Sequence, residues 1–192
     1  RGPLEDRKVT ISRLRSKVEF PASFMLVAAS NPCPCGYYGE GDRCVCTPVQ
    51  RLNNLSKLSG PILDRIDIQC TVRSIRPDAM LVAKRKKGES SAEVAERVRR
   101  AREIQGRRFA GEGICTNAEM DNRLIKKYCP LSAGCEESMV KLMESLDLSM
   151  RAYFRIIKVA RTIADLAACG DIGPEHLLEA AGYRFLNKNT AV

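Results

Sequence analysis

The pattern of apolar and polar positions changes character partway along the chain. Residues 9–12 and 17–20 alternate between apolar and polar side chains, which predicts a β-hairpin with a basic tip at 13–16. The continuous apolar run 24–29 is typical of a central strand covered on both faces. The sequence also predicts a short helix over residues 50–58.

One further strand is predicted before the pattern becomes helical. Alternation over 66–72 indicates a half-covered strand. Residues 73–88 contain proline and many basic side chains, which predicts a linker that separates two bodies. One central strand, one further strand and a hairpin are too few to cover both faces of a sheet, so this part reads as a fragment of a larger α/β domain.

Helical spacing dominates after residue 90. Ser90 and Glu93 form a capping box in front of a helix that runs to about Gly106. A short helix is expected after Asn117 and before Pro130, and an apolar stripe over 139–146 indicates another.

The strongest helix pattern follows Ser149, with Gly170 as its expected stop. Gly173-Pro174 opens a last predicted helix that runs through Ala181. The apolar face of the strong helix comprises Tyr153, Ile156, Ile157, Ala160, Ile163, Ala164 and Ala167.

Composition is that of a globular protein, with 44% hydrophobic and 29% charged residues. No apolar run approaches the ~18 residues of a membrane span, and no secretory signal is visible, so we expect a cytoplasmic protein. The net charge of +9 is concentrated in 1–20 and 84–108, which favours a polyanionic partner such as nucleic acid or nucleotide phosphate. Charge that serves only solubility is the open alternative.

The cysteines divide into a cluster and a scattered set. An odd total of nine, without a secretory signal, argues against a disulfide scaffold. Four clustered thiols have the ligand number of a tetrahedral zinc site, with free thiols or a disulfide as the alternatives. The single histidine, His176, is expected at the surface or as a helix cap. The clustered cysteines are Cys33, Cys35, Cys44 and Cys46, and the scattered ones, expected to be small buried hydrophobes, are Cys70, Cys115, Cys129, Cys135 and Cys169.

Three polar residues occupy places that suit phosphate chemistry. Asn31 follows the predicted buried strand, where open α/β sheets bind ligands, although an ordinary Asn-Pro turn is the plain alternative. Arg65 lies on a kinked turn, from which it could reach a neighbouring subunit's phosphate or pair locally with Asp64 or Asp67. Arg151 falls in the first turn of a helix, where a cation is unfavourable unless an anion is near, although a solvated surface arginine is the plain alternative.

A resemblance joins these features. The segments 4–13, 20–36, 59–67, 148–153 and 159–166 resemble, in order, the magnesium-chelatase-like AAA+ ATPases of the YifB/ComM family. The resemblance implies an α/β fragment of a AAA+ P-loop NTPase core (1–75), a basic linker (76–90) and an all-α lid bundle (91–192).

The resemblance also implies roles. Asn31 would be sensor 1, Arg65 an arginine finger acting in trans, and Arg151 the sensor 2 of the lid. The pre-sensor hairpin would carry Arg13, Arg15 and Lys17 towards DNA. The whole protein would use ATP and Mg²⁺ in a homo-oligomeric ring, expected to be hexameric, as a DNA-remodelling or branch-migration motor.

The chain departs from a complete ATPase in one respect. It contains no G-x-x-x-x-G-K-[ST] loop and no acidic run after an apolar strand, so the isolated chain is not expected to hydrolyse ATP. Two other functions stay open at this point. One is a chelatase-type motor that drives metal insertion into a tetrapyrrole, and the other is a non-enzymatic zinc-bearing interaction domain.

Overall fold

The computed structural model describes residues 2–13, 16–57, 60–72, 74 and 88–184. The chain divides into two compact units, the first over Arg1–Ser74 and the second over Ile75–Arg184. The predicted linker at 76–90 falls largely outside the described residues.

The first unit begins with a short helix and the predicted hairpin. Helix α1 (Gly2–Asp6) packs against strand β1 (Lys8–Arg13), which pairs antiparallel with strand β2 (Ser16–Pro21). The register pairs Lys8 with Pro21 and Arg13 with Ser16. The predicted hairpin is therefore confirmed, while its tip at Leu14 and Arg15 lies outside the described residues.

The predicted central strand at 24–29 is wrong for the described structure. These residues form no strand and are exposed, including Phe24 and Met25. A strand requires hydrogen bonds to neighbours, and within the residues described the sheet contains β1 and β2 alone. The run 24–29 therefore has the apolar composition of a covered strand, but the described residues contain no neighbouring strand with which it could pair.

The second predicted strand, at 66–72, is also wrong. The segment is irregular, and its exposure does not follow the expected alternation. Gln69 is buried and donates from Nε2 to the Leu63 carbonyl over 3.0 Å, whereas Ile68 and Val72 are exposed. A buried side-chain amide with a local acceptor is satisfied without a ladder of backbone hydrogen bonds.

Two short helices complete the regular structure described for the first unit. Helix α2 (Pro48–Leu55) starts two residues before the predicted helix, because Thr47 caps it and accepts a hydrogen bond from the backbone N–H of Gln50. Helix α3 (Gly60–Leu63) is a single short turn that lies shortly before Arg65.

The regular structure described for the second unit is all helical, as predicted. Its helices are α4 (Ser91–Arg108), α5 (Asn122–Tyr128), α6 (Ala133–Ser145), α7 (Met150–Leu166) and α8 (Pro174–Gly182). The predicted capping box of Ser90 and Glu93 is present at the start of α4, and Ser149 caps α7 by accepting from the Ala152 N–H.

Helix α7 lies at the centre of this unit. It packs against α4, α5, α8 and a 3₁₀ turn at Asn117–Glu119, and α8 also contacts α6. Most of its predicted apolar face is covered, with Ile156 and Ala160 fully buried, whereas Ala167, which follows the last residue of the helix, is exposed. Burial of this stripe supplies most of the drive for folding, since helix propensity alone is a weak term. The core comprises Phe109, Met120, Leu124, Ile125, Cys129, Cys135, Met139, Ile156, Ile157, Ala160, Ile172, Leu177, Ala180 and Ala181.

Two local predictions in this unit need correction. Helix α7 ends at Leu166, and Ala168, not Gly170, takes the left-handed conformation after it (φ +55°). Of the scattered cysteines, Cys129 and Cys135 are buried as expected. Cys70, Cys115 and Cys169 are exposed, contrary to the prediction.

Among the helices described, none has both the length and the apolar character needed to cross a membrane.

Candidate metal centre and nucleotide-site residues

Four cysteine side chains converge in the loop between β2 and α2. Their Sγ atoms all lie within 4.8 Å of one another. The separations include 3.3 Å between Cys33 and Cys35, and 3.7 Å between Cys35 and Cys44. Cys33 and Cys46 are buried, and the other two are partly covered. The prediction that these cysteines form one local cluster is confirmed.

Glycines allow the loop to fold back on itself. Gly36, Gly39 and Gly41 all have positive φ, between +63° and +87°, a region that costs glycine little and other residues more. A 3₁₀ turn at Gly41–Arg43 then brings the second cysteine pair towards the first. Arg51 of α2 donates from Nε to the Cys46 carbonyl over 3.2 Å, which ties the loop to the helix that follows.

Two of the thiols, Cys35 and Cys46, differ in their tendency to ionise. The backbone N–H of Tyr37 lowers the pKa of Cys35 to about 6. The backbone N–H of Cys35 favours the Cys46 thiolate, but burial and the neighbouring thiols outweigh it and raise the pKa of Cys46 to about 11. Crowded thiolates repel one another, so full ionisation requires a cation between them. Four converging sulfur ligands suit zinc, or iron in a similar site.

Asn31 lies directly before this cluster, in an exposed extended segment. Its carbonyl oxygen accepts a hydrogen bond from Asn54 Nδ2 of α2 over 2.9 Å. A Cβ atom at Gly36 would lie 3.9 Å from the Asn31 side chain, so the cysteine loop passes close to it. The backbone at Asn31 is thus held by the loop and by α2 rather than by a strand.

Arg65 follows α3 and is largely covered. Its guanidinium donates to the Pro61 carbonyl over 2.6 Å and to Glu5 Oε2 over 2.7 Å. Glu5 belongs to α1, far away in the sequence, and sequence reasoning missed it because no local pattern marks the contact. The sequence suggested Asp64 or Asp67 as local partners.

Arg151 occupies the first turn of α7 in the second unit and is exposed. Asn31 and Arg65 belong to the first unit. The nucleotide roles of all three residues remain predictions.

The basic residues of the hairpin do not share one face. Lys17 pairs with Ser12, and Arg13 with Ser16, so Arg13 and Lys17 project to opposite faces of the ribbon. Both faces of the ribbon are exposed along its whole described length. Arg15, the third predicted DNA-binding residue, lies outside the described residues.

A buried ionic network in the second unit was also missed. Asp165 accepts from Arg108 at 2.7 and 2.5 Å, from Asn117 Nδ2 at 2.7 Å and from Arg161 Nε at 3.1 Å. Burial alone would raise the pKa of Asp165, but the hydrogen bonds from Arg108 and Asn117 outweigh burial and hold it below the usual value. The available signal was an arginine and an aspartate four residues apart on the apolar side of α7.

Arg161 and His176 organise the turn that joins α7 to α8. Arg161 donates to the carbonyls of Cys169 and Gly170 over 2.7 Å each. His176 is expected at the surface or as a helix cap, and it caps α8. Its Nδ1 accepts a hydrogen bond from the Gly173 N–H over 2.9 Å. It is buried, however, and not at the surface.

Comparison with known proteins identifies the class. Residues 1–80 match the family "Magnesium chelatase, subunit ChlI", and residues 88–184 match "Magnesium chelatase, subunit ChlI C-terminal". The chain therefore belongs to the magnesium chelatase ChlI family, whose members are AAA+ ATPase-like proteins.

Within this class the chain is similar to particular proteins. It is 44% identical over 184 residues to competence protein ComM of Haemophilus influenzae, covering 96% of this chain and 35% of that protein. It is 42% identical over 188 residues to the uncharacterized protein YifB of Salmonella typhimurium, covering 98% of this chain and 36% of the relative. YifB of Escherichia coli is 40% identical, with 98% and 36% covered. The chain thus spans about a third of the length of these relatives.

Proposed function

We propose that this chain forms part of a AAA+ ATPase that remodels DNA, acting as a translocase or branch-migration motor. Residues 1–75 would be the C-terminal part of the α/β core, 76–90 a linker and 91–192 the lid. The observation that carries the proposal is the pair of family matches, which cover the chain in the order that the motifs predict. The similarity to a competence protein supports DNA as the substrate.

The proposed nucleotide chemistry uses one amide and two guanidinium groups. Asn31 would orient the attacking water, since an amide offers both a donor and an acceptor without adding charge. Arg65 would stabilise charge on the transferring phosphoryl group of a neighbouring subunit's ATP, where a planar bidentate cation acts better than lysine. Arg151 would contact the γ-phosphate from the lid. ATP and Mg²⁺ would also need the phosphate loop and metal ligands that this chain lacks.

The central test is Arg65→Ala in the full-length protein that carries this sequence. A finger supplied in trans contributes about 10³–10⁵ in rate, so turnover should fall by orders of magnitude while ATP binding persists. Arg43→Ala is the matched control, because Arg43 is a more exposed arginine of the same unit. Mixing Arg65→Ala with a variant that lacks the phosphate-loop lysine should restore part of the activity. A wild-type rate in Arg65→Ala would refute the finger.

Arg151→Ala tests the lid. We expect slower turnover with a changed nucleotide affinity, because the exposed side chain in the first turn of α7 would contact the γ-phosphate in the assembled site. Unchanged steady-state kinetics would leave Arg151 as a solvated surface residue.

A finger in trans requires a neighbouring subunit, so we propose a homo-oligomer, with six subunits, located in the cytoplasm. The family match supports the proposal of an oligomer. Light scattering of the full-length protein with and without ATP gives the subunit number. A monomer in both conditions would contradict it.

We further propose that Cys33, Cys35, Cys44 and Cys46 bind one zinc ion. Convergence of all four Sγ atoms supports the site, and bound zinc would hold the loop closed. Elemental analysis of protein purified without chelator should give about one zinc per chain. Cys46→Ser should lose it, whereas Cys70→Ser, an exposed cysteine of the same unit, should keep it. A metal content near zero in the parent protein, with four titrating thiols, would refute a metal site. A coloured protein that contains iron would instead show that the cluster binds iron and not zinc.

The hairpin is the proposed DNA contact. Each lost phosphate contact reduces the slope of log affinity against log salt by about 1. Arg13→Ala and Lys17→Ala should therefore each weaken DNA binding across all sequences. Lys8→Ala is the control on the same ribbon, since Lys8 already pairs with Glu19 at 2.9 Å. Equal effects of all three substitutions would assign the loss to general charge.

A chelatase-type motor is the second candidate, favoured by the name of the matching family. It predicts ATP hydrolysis stimulated by partner subunits and a metal–tetrapyrrole substrate. Stimulation of the full-length ATPase by DNA would favour the first candidate.

A further inference from the structure

The contact between Glu5 and Arg65 joins two parts of the first unit that are sixty residues apart in sequence. The distance from Arg65 Nη2 to Glu5 Oε2 is 2.7 Å, and Nη1 of the same side chain donates to the Pro61 carbonyl over 2.6 Å. One acceptor comes from α1 and the other from α3. The guanidinium plane is therefore fixed from two different elements.

Burial distinguishes this pair from the ordinary ion pairs of the unit. The Arg65 and Glu5 side chains are 13% and 30% exposed, whereas those of Lys8 and Glu19 are 51% and 43% exposed. Water competes weakly for a covered pair, so its geometry persists better than that of a surface pair. The two acceptors can thus hold one orientation of the arginine.

A fixed orientation of Arg65 would favour its action on a neighbouring subunit. A flexible arginine would have to lose its rotational freedom each time the interface forms, while one held beforehand does not. We propose that Glu5 is a positioning residue that orients Arg65 for phosphoryl transfer in trans. This proposal rests on the proposed role of Arg65 and adds Glu5 as its support.

The test is a double-mutant cycle in the full-length protein. Glu5→Gln keeps the size of the side chain but removes the charge. We expect it to lower kcat by on the order of 10- to 100-fold, the effect of a misplaced group, with nucleotide affinity unchanged. Glu5→Gln added to Arg65→Ala should cause no further loss, because the residue it positions is gone. A residue with only a structural role would reduce activity in both backgrounds.

The controls separate folding from positioning. Glu103→Gln removes a carboxylate from an exposed ion pair on α4 and should leave kcat unchanged. If Glu5→Gln fails to fold, Glu5→Asp keeps the charge but shortens its reach, and it should give a smaller loss of kcat that again vanishes in the Arg65→Ala background.

The outcomes distinguish the positioning role of Glu5 from the arginine-finger role of Arg65 on which it rests. If Arg65→Ala retains the wild-type rate, the finger itself is refuted, and Glu5 with it. If Arg65→Ala is inactive but Glu5→Gln turns over at the wild-type rate, the positioning role is overturned while the finger stands. A rise in turnover for Glu5→Gln also overturns the positioning role, because the ion pair with Glu5 would then keep Arg65 away from the phosphoryl group.

Discussion

Replacing Asp165 by alanine tests the ionic network at the centre of the second unit. The carboxylate has no exposed surface and accepts from Arg108, Arg161 and Asn117. Removal leaves Arg161, whose side chain is itself buried, without its carboxylate. Breaking a buried pair by removing one partner costs about 3–5 kcal/mol, which lowers the folding equilibrium constant by on the order of 10²–10⁴.

Glu96→Ala is the matched control, since Glu96 also accepts from two arginines, Arg99 and Arg100, but on the exposed surface of α4. Exposed pairs contribute little, so we expect no resolvable change. Urea unfolding of the 192-residue chain, followed by the helical signal in circular dichroism, measures both variants. Equal midpoints for Asp165→Ala and Glu96→Ala, with equal slopes, would refute the argument that burial gives Asp165 its weight.

Three further predictions concern the same unit and use the same unfolding measurement. Leu177→Ala should cost about 2–5 kcal/mol because its side chain is fully buried, while the adjacent exposed Leu178→Ala should stay within about 0.5 kcal/mol; similar losses would contradict the packing. Ser149→Ala should cost about 1 kcal/mol through loss of the α7 cap, and Ser138→Ala, in mid-helix, should cost nothing. Since the pKa of Asp165 is below its usual 3.8, the stabilisation it provides is complete above that pH and is lost as the pH falls through the lowered value; the wild type and Asp165→Ala should then converge in acid.

Helix boundaries could be predicted because their signals are local. Ser90, Ser149 and Gly173-Pro174 each mark a helix start within three residues of the first turn, and all three starts are observed. The exit of α7 was misplaced because the left-handed position went to Ala168, a residue with no marked preference for it.

Strands were harder to predict because a strand depends on its neighbours. The run 24–29 has strand composition, yet the described residues place no strand beside it. At 66–72 the alternation predicted a strand that is absent, and Gln69, expected to be exposed, is buried with its amide donating to the Leu63 carbonyl. The periodicity of apolar residues shows how side chains are spaced along the chain, but it does not show whether neighbouring strands are present for them to pack against.

The candidate sites divide in the same way. The cysteine cluster was visible because its ligands lie within one short loop. The partners of Arg65 and Asp165 were not, since Glu5 and Arg108 come from distant segments and charged residues are usually solvated.

The network around Asp165 also implies an order of folding. Arg161 reaches Asp165 four residues away and the carbonyls of Cys169 and Gly170 within nine, so these contacts can form as soon as α7 and its exit turn exist. Arg108 is 57 residues from Asp165, and closing so long a loop delays its contact. We expect α4 to dock late, after the transition state. Loss of the Arg108 contact should therefore accelerate unfolding while leaving the folding rate almost unchanged.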